Sequence, residues 1–251
     1  MALSTLIIIA VVVIAGLLAF KFTKSVIKSI FLAFSLLGII LGVIVALIAA
    51  DAIDFNKNFQ TRESLFVLEE NGKILTGFSG IMGEGLTPSY LKAEEISSLH
   101  QNYDDLDVVL GDHYKLFIIK RNFFDTLETI ESGDVSFGKQ EFFDMVSSDN
   151  PLDSFIANQY PNLSDASIPK IKKDLLEQLE IEEESQFSGT LFAVSLGAAM
   201  KDSPVFLFAQ YQKGNVIIYP ETMLFKAMKR IPSSLLQKLV KGEDTKNVNN
   251  G

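Results

Sequence analysis

Two long runs without a charged side chain occupy the first fifty residues, and they restrict the possible folds more than any other feature. Residues 2–20 and residues 29–50 consist mainly of Leu, Ile, Val and Ala. As an α-helix, the first run spans about 28 Å, close to the hydrocarbon thickness of a bilayer. Neither run has a polar face that would suit the surface of a soluble protein. The pattern therefore predicts a hairpin of two transmembrane helices.

The short connection between the two runs contains the only charges of this region. A cleaved signal peptide is an alternative for the first run, but no basic residue precedes it and a second apolar run follows closely. Lys21, Lys24 and Lys28 lie in the connection, and Lys57 and Arg62 follow the second run. Short loops rich in basic residues tend to stay in the cytoplasm. We therefore expect a multi-pass protein of the cytoplasmic membrane, with its soluble domain outside.

Small residues recur at a spacing of four along the second run. Gly38, Gly42 and Ala46 would lie on one side of a helix, where small side chains allow two helix backbones to approach closely. They would serve to pack the hairpin, or to bind a second copy or another membrane protein. Besides these, the expected partner is the lipid bilayer itself. Neither run contains an ionisable residue, which argues against an ion pathway within the bilayer.

The rest of the chain is acidic. The chain has 31 acidic and 22 basic residues, and residues 51–251 hold all of the former but only 19 of the latter. An acidic domain is a poor match for nucleic acid, which requires clustered Lys and Arg. The absence of cysteine excludes disulfides and thiol chemistry. We divide this part into a linker (51–63), an α+β domain (64–241) that ends in an amphipathic helix, and a disordered tail (242–251).

Local patterns predict the elements of this domain. The strongest is Asn71-Gly72, a favoured two-residue hairpin turn between two β-prone runs. The glycine-rich segment 77–89 is interpreted as a connecting loop, and the segment 102–114 as a polar loop that leads into a strand. Residues 188–200 are apolar enough to be buried in the core or in another subunit. Further strands are predicted at 114–121 and 215–219, and helices at 91–102, 139–148 (with Ser136 as N-cap), 150–160 and 168–185. The run before Gly214 is interpreted as a helix, with a strand as the alternative.

The C-terminal segment 220–241 has an amphipathic pattern. Leu224, Met228, Ile231, Leu235 and Leu239 follow a three-to-four spacing, typical of one helix face. Basic residues lie off that face, which suits a membrane surface with anionic lipids. An ordinary core-packing helix with a basic outer side is the alternative. The candidate residues for the membrane surface are Lys226, Lys229, Arg230 and Lys238.

Candidate catalytic residues are few. Ser89 and Lys92 have the spacing of a serine–lysine dyad and follow the glycine-rich segment. His100 and His113 are the only histidines, and Asp112 precedes the second, so a His/Asp metal site or hydrolytic site is the other candidate. No metalloprotease, calcium-loop, phosphate-loop or nucleophile-elbow motif supports either interpretation. The sequence therefore predicts no cofactor and favours a non-enzymatic role.

The order of the segments resembles that of a known group. An apolar hairpin with a basic loop is followed by a domain that opens with "LFVLEENGKILTGF" and closes with "GNVIIYPETMLFKAMKRIP". This arrangement resembles uncharacterised membrane proteins with two transmembrane helices from small-genome archaea. The resemblance implies the hairpin-plus-domain layout and carries no activity and no site residue.

Taken together, these features predict a membrane-anchored, extracytoplasmic α+β domain that serves as a binding or assembly module. One alternative is a membrane-bound hydrolase that uses the Ser/Lys or His/Asp residues. Another is a subunit of a larger membrane complex, joined through the Gly38/Gly42 face.

Overall fold

The structure, a computed structural model, describes residues 26–81, 88–127, 129–132, 135–164, 167–201 and 204–232 of the chain. The first predicted run (2–20), Lys21, Lys24 and Lys238 lie outside the described residues. The chain divides into two compact units, Met1–Asp54 and Phe55–Gly251.

The N-terminal part of the described chain is a single long helix, α1 (Val26–Phe59). From Phe34 onwards it is apolar enough to cross a membrane, with a mean hydropathy of 2.7 and no buried residue in its most apolar window. Large apolar side chains stand exposed along it, as at Phe34 (70%), Val45 (64%) and Ile53 (70%). No other helix in the described ranges passes the same test of length and hydropathy. Because no Gly or Pro interrupts residues 51–59, the helix continues beyond the predicted second run.

The second unit is built around a mixed sheet of five strands in the order β3-β2-β1-β4-β7. β1 pairs antiparallel with β2 and parallel with β4, and β7 pairs antiparallel with β4. A separate antiparallel pair joins β5 to β6. The strands are β1 (Ser64–Glu70), β2 (Lys73–Gly80), β3 (Ser89–Tyr90), β4 (Leu116–Lys120), β5 (Thr129–Ser132), β6 (Val135–Gly138) and β7 (Val216–Tyr219).

Helices cover both faces of this sheet, so the fold is an apolar helix followed by an α+β domain. The hairpin at Asn71-Gly72 is confirmed, and both turn residues have positive φ (53° and 80°). The remaining elements are α2 (Ala93–Gln101), α3 (Leu106–Leu110), a 3-10 helix (Arg121–Thr126), α4 (Lys139–Val146), α5 (Pro151–Gln159), α6 (Ile168–Gln178), α7 (Glu184–Lys201), α8 (Pro204–Gln212) and α9 (Met223–Met228).

One face of the sheet, the aromatic face, is lined by phenylalanine. Phe66 stacks between Phe78 and Phe117 with ring centroids 5.0 and 4.8 Å apart. The covering side chains come mainly from α4, α5, α7 and α8 and form the larger core cluster. Phe55 and Phe59, from the last turns of α1, also pack against this cluster. Phe55 and Phe59 are therefore part of the core of the second unit.

The opposite face, the aliphatic face, is smaller. Its buried residues alternate with those of the aromatic face along β1 and β4, as strand geometry requires. The short helices α2 and α3 cover it through partly buried side chains such as Ile96 and Leu106. Its buried residues are Leu65, Val67, Ile74, Leu91, Val109, Leu116 and Ile118.

Gly189 allows α7 to lie directly on β2, and Gly77 allows β1 and Leu91 to approach β2 closely. A Cβ atom at Gly189 would be 2.9 Å from the carbonyl oxygen of Gly77. A Cβ atom at Gly77 would be 2.7 Å from the carbonyl oxygen of Phe66. β2 extends to Gly80, into the segment 77–89 that was interpreted as a connecting loop, and a strand glycine here permits close backbone approach.

Three local predictions are corrected by the structure. Residues 106–110 form α3 rather than a loop, because the Asp105 carboxylate accepts hydrogen bonds from the N–H groups of Asp107 (3.2 Å) and Val108 (3.3 Å). The N-cap of α4 is Gly138 rather than Ser136, since Ser136 still pairs within the β5–β6 hairpin. The helix predicted over 168–185 ends at Gln178.

Candidate binding cleft

A cleft of about 230 Å³ opens at the edge of the main sheet, beside the first half of β2. Among the described residues, β3 pairs with β2 only at Phe78 and Ser79, so residues 73–76 have no strand neighbour on that side. The cleft is lined by Lys73, Ile74, Leu75, Ala93, Ile96, Ser97, Val146, Ser147, Ser148, Asp149, Pro151, Ser185 and Ser188. We call it the edge cleft.

A β-bulge shapes the floor of the edge cleft. Leu68 faces Thr76 and Glu69 faces Ile74, so Leu75 is the extra residue of the β1–β2 pair. A bulge redirects the side chains of its strand and ends regular pairing. Here it places the partly buried Leu75 beside the buried Ile74 in the lining of the cleft.

Serine hydroxyls line the walls, and most are held by the protein itself. Ser97 donates to the carbonyl of Ala93 (2.9 Å) in α2. Ser148, between α4 and α5, accepts from the hydroxyl of Ser154 (3.1 Å). Ser188 is 4% exposed and contacts the Val146 carbonyl at 3.4 Å. Each oxygen retains hydrogen-bonding capacity, so these serines make the walls polar.

Two opposite charges stand at the cleft. Lys73 follows the β1–β2 turn, and Asp149 lies in the connection between α4 and α5. Both side chains are exposed, and neither forms an ion pair or side-chain hydrogen bond with another described residue. They are therefore available to a ligand that carries both charges.

The start of α7 is fixed next to the cleft by a buried amide. The Gln186 side chain accepts hydrogen bonds from the N–H groups of Glu182 (2.8 Å) and Glu183 (3.1 Å). Its amide nitrogen donates to the carbonyl of Tyr90 (3.1 Å) on β3. Lys172 of α6 adds ion pairs to Glu184 (2.7 Å) and Asp153 (2.9 Å). Glu182, Glu183 and Glu184 of the acidic run 180–184 thus hold the start of α7 in place beside the cleft.

The Ser89 and Lys92 candidates occupy the surface near β3. Ser89 is exposed on β3, opposite Ser79. The Lys92 ammonium pairs with Glu182 at 2.6 Å, and this hydrogen bond raises the pKa of Lys92 above its ordinary value. A lysine that activates a serine requires a lowered pKa. In this arrangement Lys92 acts as an ion-pair partner of the acidic run.

The histidine candidates lie on the aliphatic side of the domain. His100 is exposed near the end of α2, and the ring of His113 bonds through Nδ1 to the Leu110 carbonyl at 2.9 Å. Asp112 is exposed in the preceding turn. Within the part of the chain that the structure describes, no three His, Asp or Glu side chains gather as a metal site would require.

The basic candidates on α9 differ in their contacts. Lys229 pairs with Glu221 at 2.5 Å and lies 4.7 Å from the centre of the Tyr211 ring. The Tyr211 hydroxyl donates to the same carboxylate at 2.6 Å. Together Lys229 and Tyr211 lower the pKa of Glu221, while burial and the bond to Glu221 raise the pKa of Tyr211. Lys226 and Arg230 are exposed and have no ion-pair partner among the described residues.

The small residues of α1 face open space. Gly38, Gly42 and Ala46 are exposed, and a Cβ atom at either glycine would meet no described atom within 4 Å. No described residue therefore covers this surface, and another helix could pack against it.

No local sequence pattern predicts the edge cleft, because its lining comes from β2, α2, the α4–α5 connection and α7, which are far apart in the chain. The only local signals are the hairpin turn before Lys73 and the serine-rich segment at 147–148. Comparisons with protein-family models, curated proteins and solved structures found no match to this chain.

Proposed function

We propose that this chain is a membrane-anchored binding module whose domain takes up an extended peptide segment along the open edge of β2. The observation that carries the proposal is the edge cleft, which adjoins residues 73–76 where β2 lacks a second strand neighbour among the described residues. In this proposal, residues 2–20 and 29–50 form the transmembrane hairpin, and the domain faces outward.

The cleft has the components of a strand-addition site. An exposed sheet edge offers N–H and C=O groups to an extended chain, and neighbouring pockets select its side chains. Four residues of such a peptide would cover residues 73–76, a length of about 13 Å. Ile74, Leu75 and Ile96 provide apolar contacts, while Lys73 and Asp149 suit a ligand with one acidic and one basic group.

The hydrolase alternative is less favoured by the same geometry. Lys92 is held by Glu182 with a raised pKa, which opposes its use as a base. Measured hydrolytic turnover by the intact protein, lost on replacement of Ser89 by Ala, would reverse this order of preference.

The peptide proposal is tested with a library of random decapeptides, selected against the full chain in lipid nanodiscs. Ser97→Trp places an indole in the cleft, whereas Ser98→Trp changes the next exposed residue of α2, which does not line it. We expect enriched peptides to bind the native chain and Ser98→Trp equally, and Ser97→Trp at least tenfold more weakly, by calorimetric titration. Failure to enrich any peptide, or equal binding to both variants, would overturn the proposal.

The topology is tested separately by protease treatment of intact cells. If the domain lies outside, as proposed, it is digested before the membrane is broken. A domain that survives until lysis would place it inside and would leave the cleft proposal standing.

A second function, assembly within a larger membrane complex, is favoured by the open face at Gly38 and Gly42. Leucine at Gly42 would hold a partner helix away. We expect Gly42→Leu to reduce the cross-linked oligomer or complex recovered from membranes by several fold. The control is Ile44→Phe, which adds bulk at an exposed position about 200° around α1 from Gly42. Unchanged cross-linking in Gly42→Leu would count against this function.

A further inference from the structure

The segment that contains α9 has a defined place in the domain. Phe225 is 1% exposed, and its ring meets the Phe55 ring edge-on, with centroids 5.1 Å apart. Phe55 in turn stacks on Phe59 at 4.6 Å. Both belong to the last turns of α1, and Phe55 follows the uncharged run 29–50 by five residues, about 8 Å along a helix. Thus α9 packs against the part of α1 that directly follows the uncharged run 29–50.

Three further contacts hold α9 in this position. The Lys115 ammonium, 3% exposed, donates to the Pro220 carbonyl at 2.7 Å. The Gln212 side chain donates to the carbonyls of Met228 and Ile231, both at 2.7 Å. The Glu221 carboxylate forms an ion pair with Lys229 and accepts a hydrogen bond from the Tyr211 hydroxyl. The segment is therefore fixed from both ends, and its orientation is set by the domain.

The basic residues of this segment fall into two groups. Phe225 and Lys229 are four residues apart on the side that meets the domain, and Lys229 is neutralised there by Glu221. Lys226 lies on α9, and Arg230 lies in the turn that directly follows it. Both are exposed and form no direct ion pair with a described residue, although Lys226 also attracts the Glu221 carboxylate at longer range. In a domain with an acidic balance, these two unpaired charges mark a surface for anions.

We propose that Lys226 and Arg230 bind the anionic headgroups of the membrane in which the chain is anchored. This rests on the membrane anchoring of the proposed function, but not on the edge cleft. Lipid is the occupant because the segment contacts the residues that directly follow the apolar helix, and because the free charges are complementary to acidic phospholipids. Of the four basic candidates, Lys229 stabilises the fold through its ion pair with Glu221, whereas Lys226 and Arg230 bind the membrane surface. Lys238 lies outside the described residues.

The experiment uses the absence of cysteine in the native chain, which makes any introduced cysteine a unique labelling site. A nitroxide is attached at Pro232→Cys, which is exposed just beyond α9, in the full chain. The chain is reconstituted in nanodiscs of phosphatidylcholine alone or with phosphatidylglycerol. Accessibility of the label to a soluble nickel chelate is then measured by spin-label power saturation.

We expect the label to be shielded from the nickel chelate in discs with phosphatidylglycerol and accessible in pure phosphatidylcholine. Lys226→Gln/Arg230→Gln should lower the docking equilibrium about twenty-five-fold, since each basic residue near an anionic surface contributes about fivefold. Lys170→Gln/Lys173→Gln removes the same charge from α6 and should leave the shielding unchanged. High salt should weaken the docking.

Two results would overturn the inference in distinguishable ways. If the chain enters the discs but the label is equally accessible in both lipids, or is unaffected by Lys226→Gln/Arg230→Gln, the headgroup surface is wrong and the anchoring stands. If the chain does not stay with the discs, the anchoring fails and the headgroup surface fails with it. A label on α2 at Gln101→Cys reports whether any lipid effect is confined to the α9 segment.

Discussion

The two faces of the main sheet are formed by alternating residues of the same strands, yet they differ in the size of their cores and in the elements that cover them. The aromatic face includes Phe117 and draws in the end of α1 and α9 through Phe59 and Phe225. The aliphatic face includes Ile118 and is covered by α2 and α3. Phe59 and Phe225 thus belong to the larger core, whereas the smaller core supports one wall of the edge cleft.

The difference in cover has a consequence for stability within the domain. α2 has no fully buried residue, and α3 has only Val109. Elements with few buried side chains open locally at a lower free energy than the core does. The α2 wall of the cleft is therefore the one suited to adjust around a ligand, while the α7 wall is held firmly.

The largest effect should come from the aromatic face. Phe117→Ala removes a ring that stacks on Phe66 and contacts Phe59, and we expect a loss of about 3–5 kcal/mol in the free energy of unfolding. Ile118→Ala, which truncates its neighbour on the other face, should cost less, about 2–3 kcal/mol. Thermal unfolding of the full chain in detergent, followed by circular dichroism, measures both. Equal losses would abolish the contrast between the faces.

A smaller effect is expected where α7 meets β2. Gly189→Ala would bring its Cβ atom to 2.9 Å from the carbonyl oxygen of Gly77, so we expect a loss of about 1–3 kcal/mol. The matched control is Gly197→Ala on α7, where a Cβ atom meets nothing described within 4 Å. That change should stabilise the helix by up to about 1 kcal/mol. Changes of the same sign in both variants would show that the close approach is unimportant.

The smallest effect concerns the contacts that fix α9. Because Lys229 and Tyr211 lower the pKa of Glu221, its carboxylate stabilises the fold above its unfolded pKa, about 4.3, and this contribution is lost as the pH falls through the folded value. Glu221→Gln should therefore cost no more than about 1 kcal/mol near pH 7. The difference from the native chain should shrink as the pH falls below about 4.3 and vanish once the pH is below the lowered pKa of folded Glu221.

The measurement is chemical unfolding of both proteins between pH 7 and pH 3. A difference that stays constant over this range would mean that the charge of Glu221 is not what holds the segment. Asp174→Asn changes an exposed carboxylate of α6 and provides the control.

The sequence predicted those parts of the fold that depend on local chemistry. Asn71-Gly72 marks a turn because few other residues tolerate positive φ, and Pro151 occupies the first turn of α5 as expected. β4 and β7 were recognisable as short β-prone runs. α3 was missed although Asp105 is a favoured N-cap, because five residues give little helical periodicity.

The edge cleft and the division of roles on α9 depend on contacts that no local pattern contains. The pairing of Lys92 with Glu182 spans ninety residues, and that of Lys115 with Pro220 spans 105. Likewise, only the position of Glu221 shows that Lys229 differs from Lys226. Periodicity groups side chains by helix face, but it cannot tell which charge finds a partner.

The position of β7 at one border of the sheet has a consequence for biosynthesis. Its first residue, Val216, is made 152 residues after Ser64 begins β1. Until then β4 has an unpaired edge, and much of the aromatic face stays uncovered because α7 and α8 are translated late. Such intermediates aggregate readily in free solution. If the chain is membrane-anchored as proposed, early capture of the nascent chain by the bilayer through its apolar helix would keep neighbouring copies apart while translation is completed.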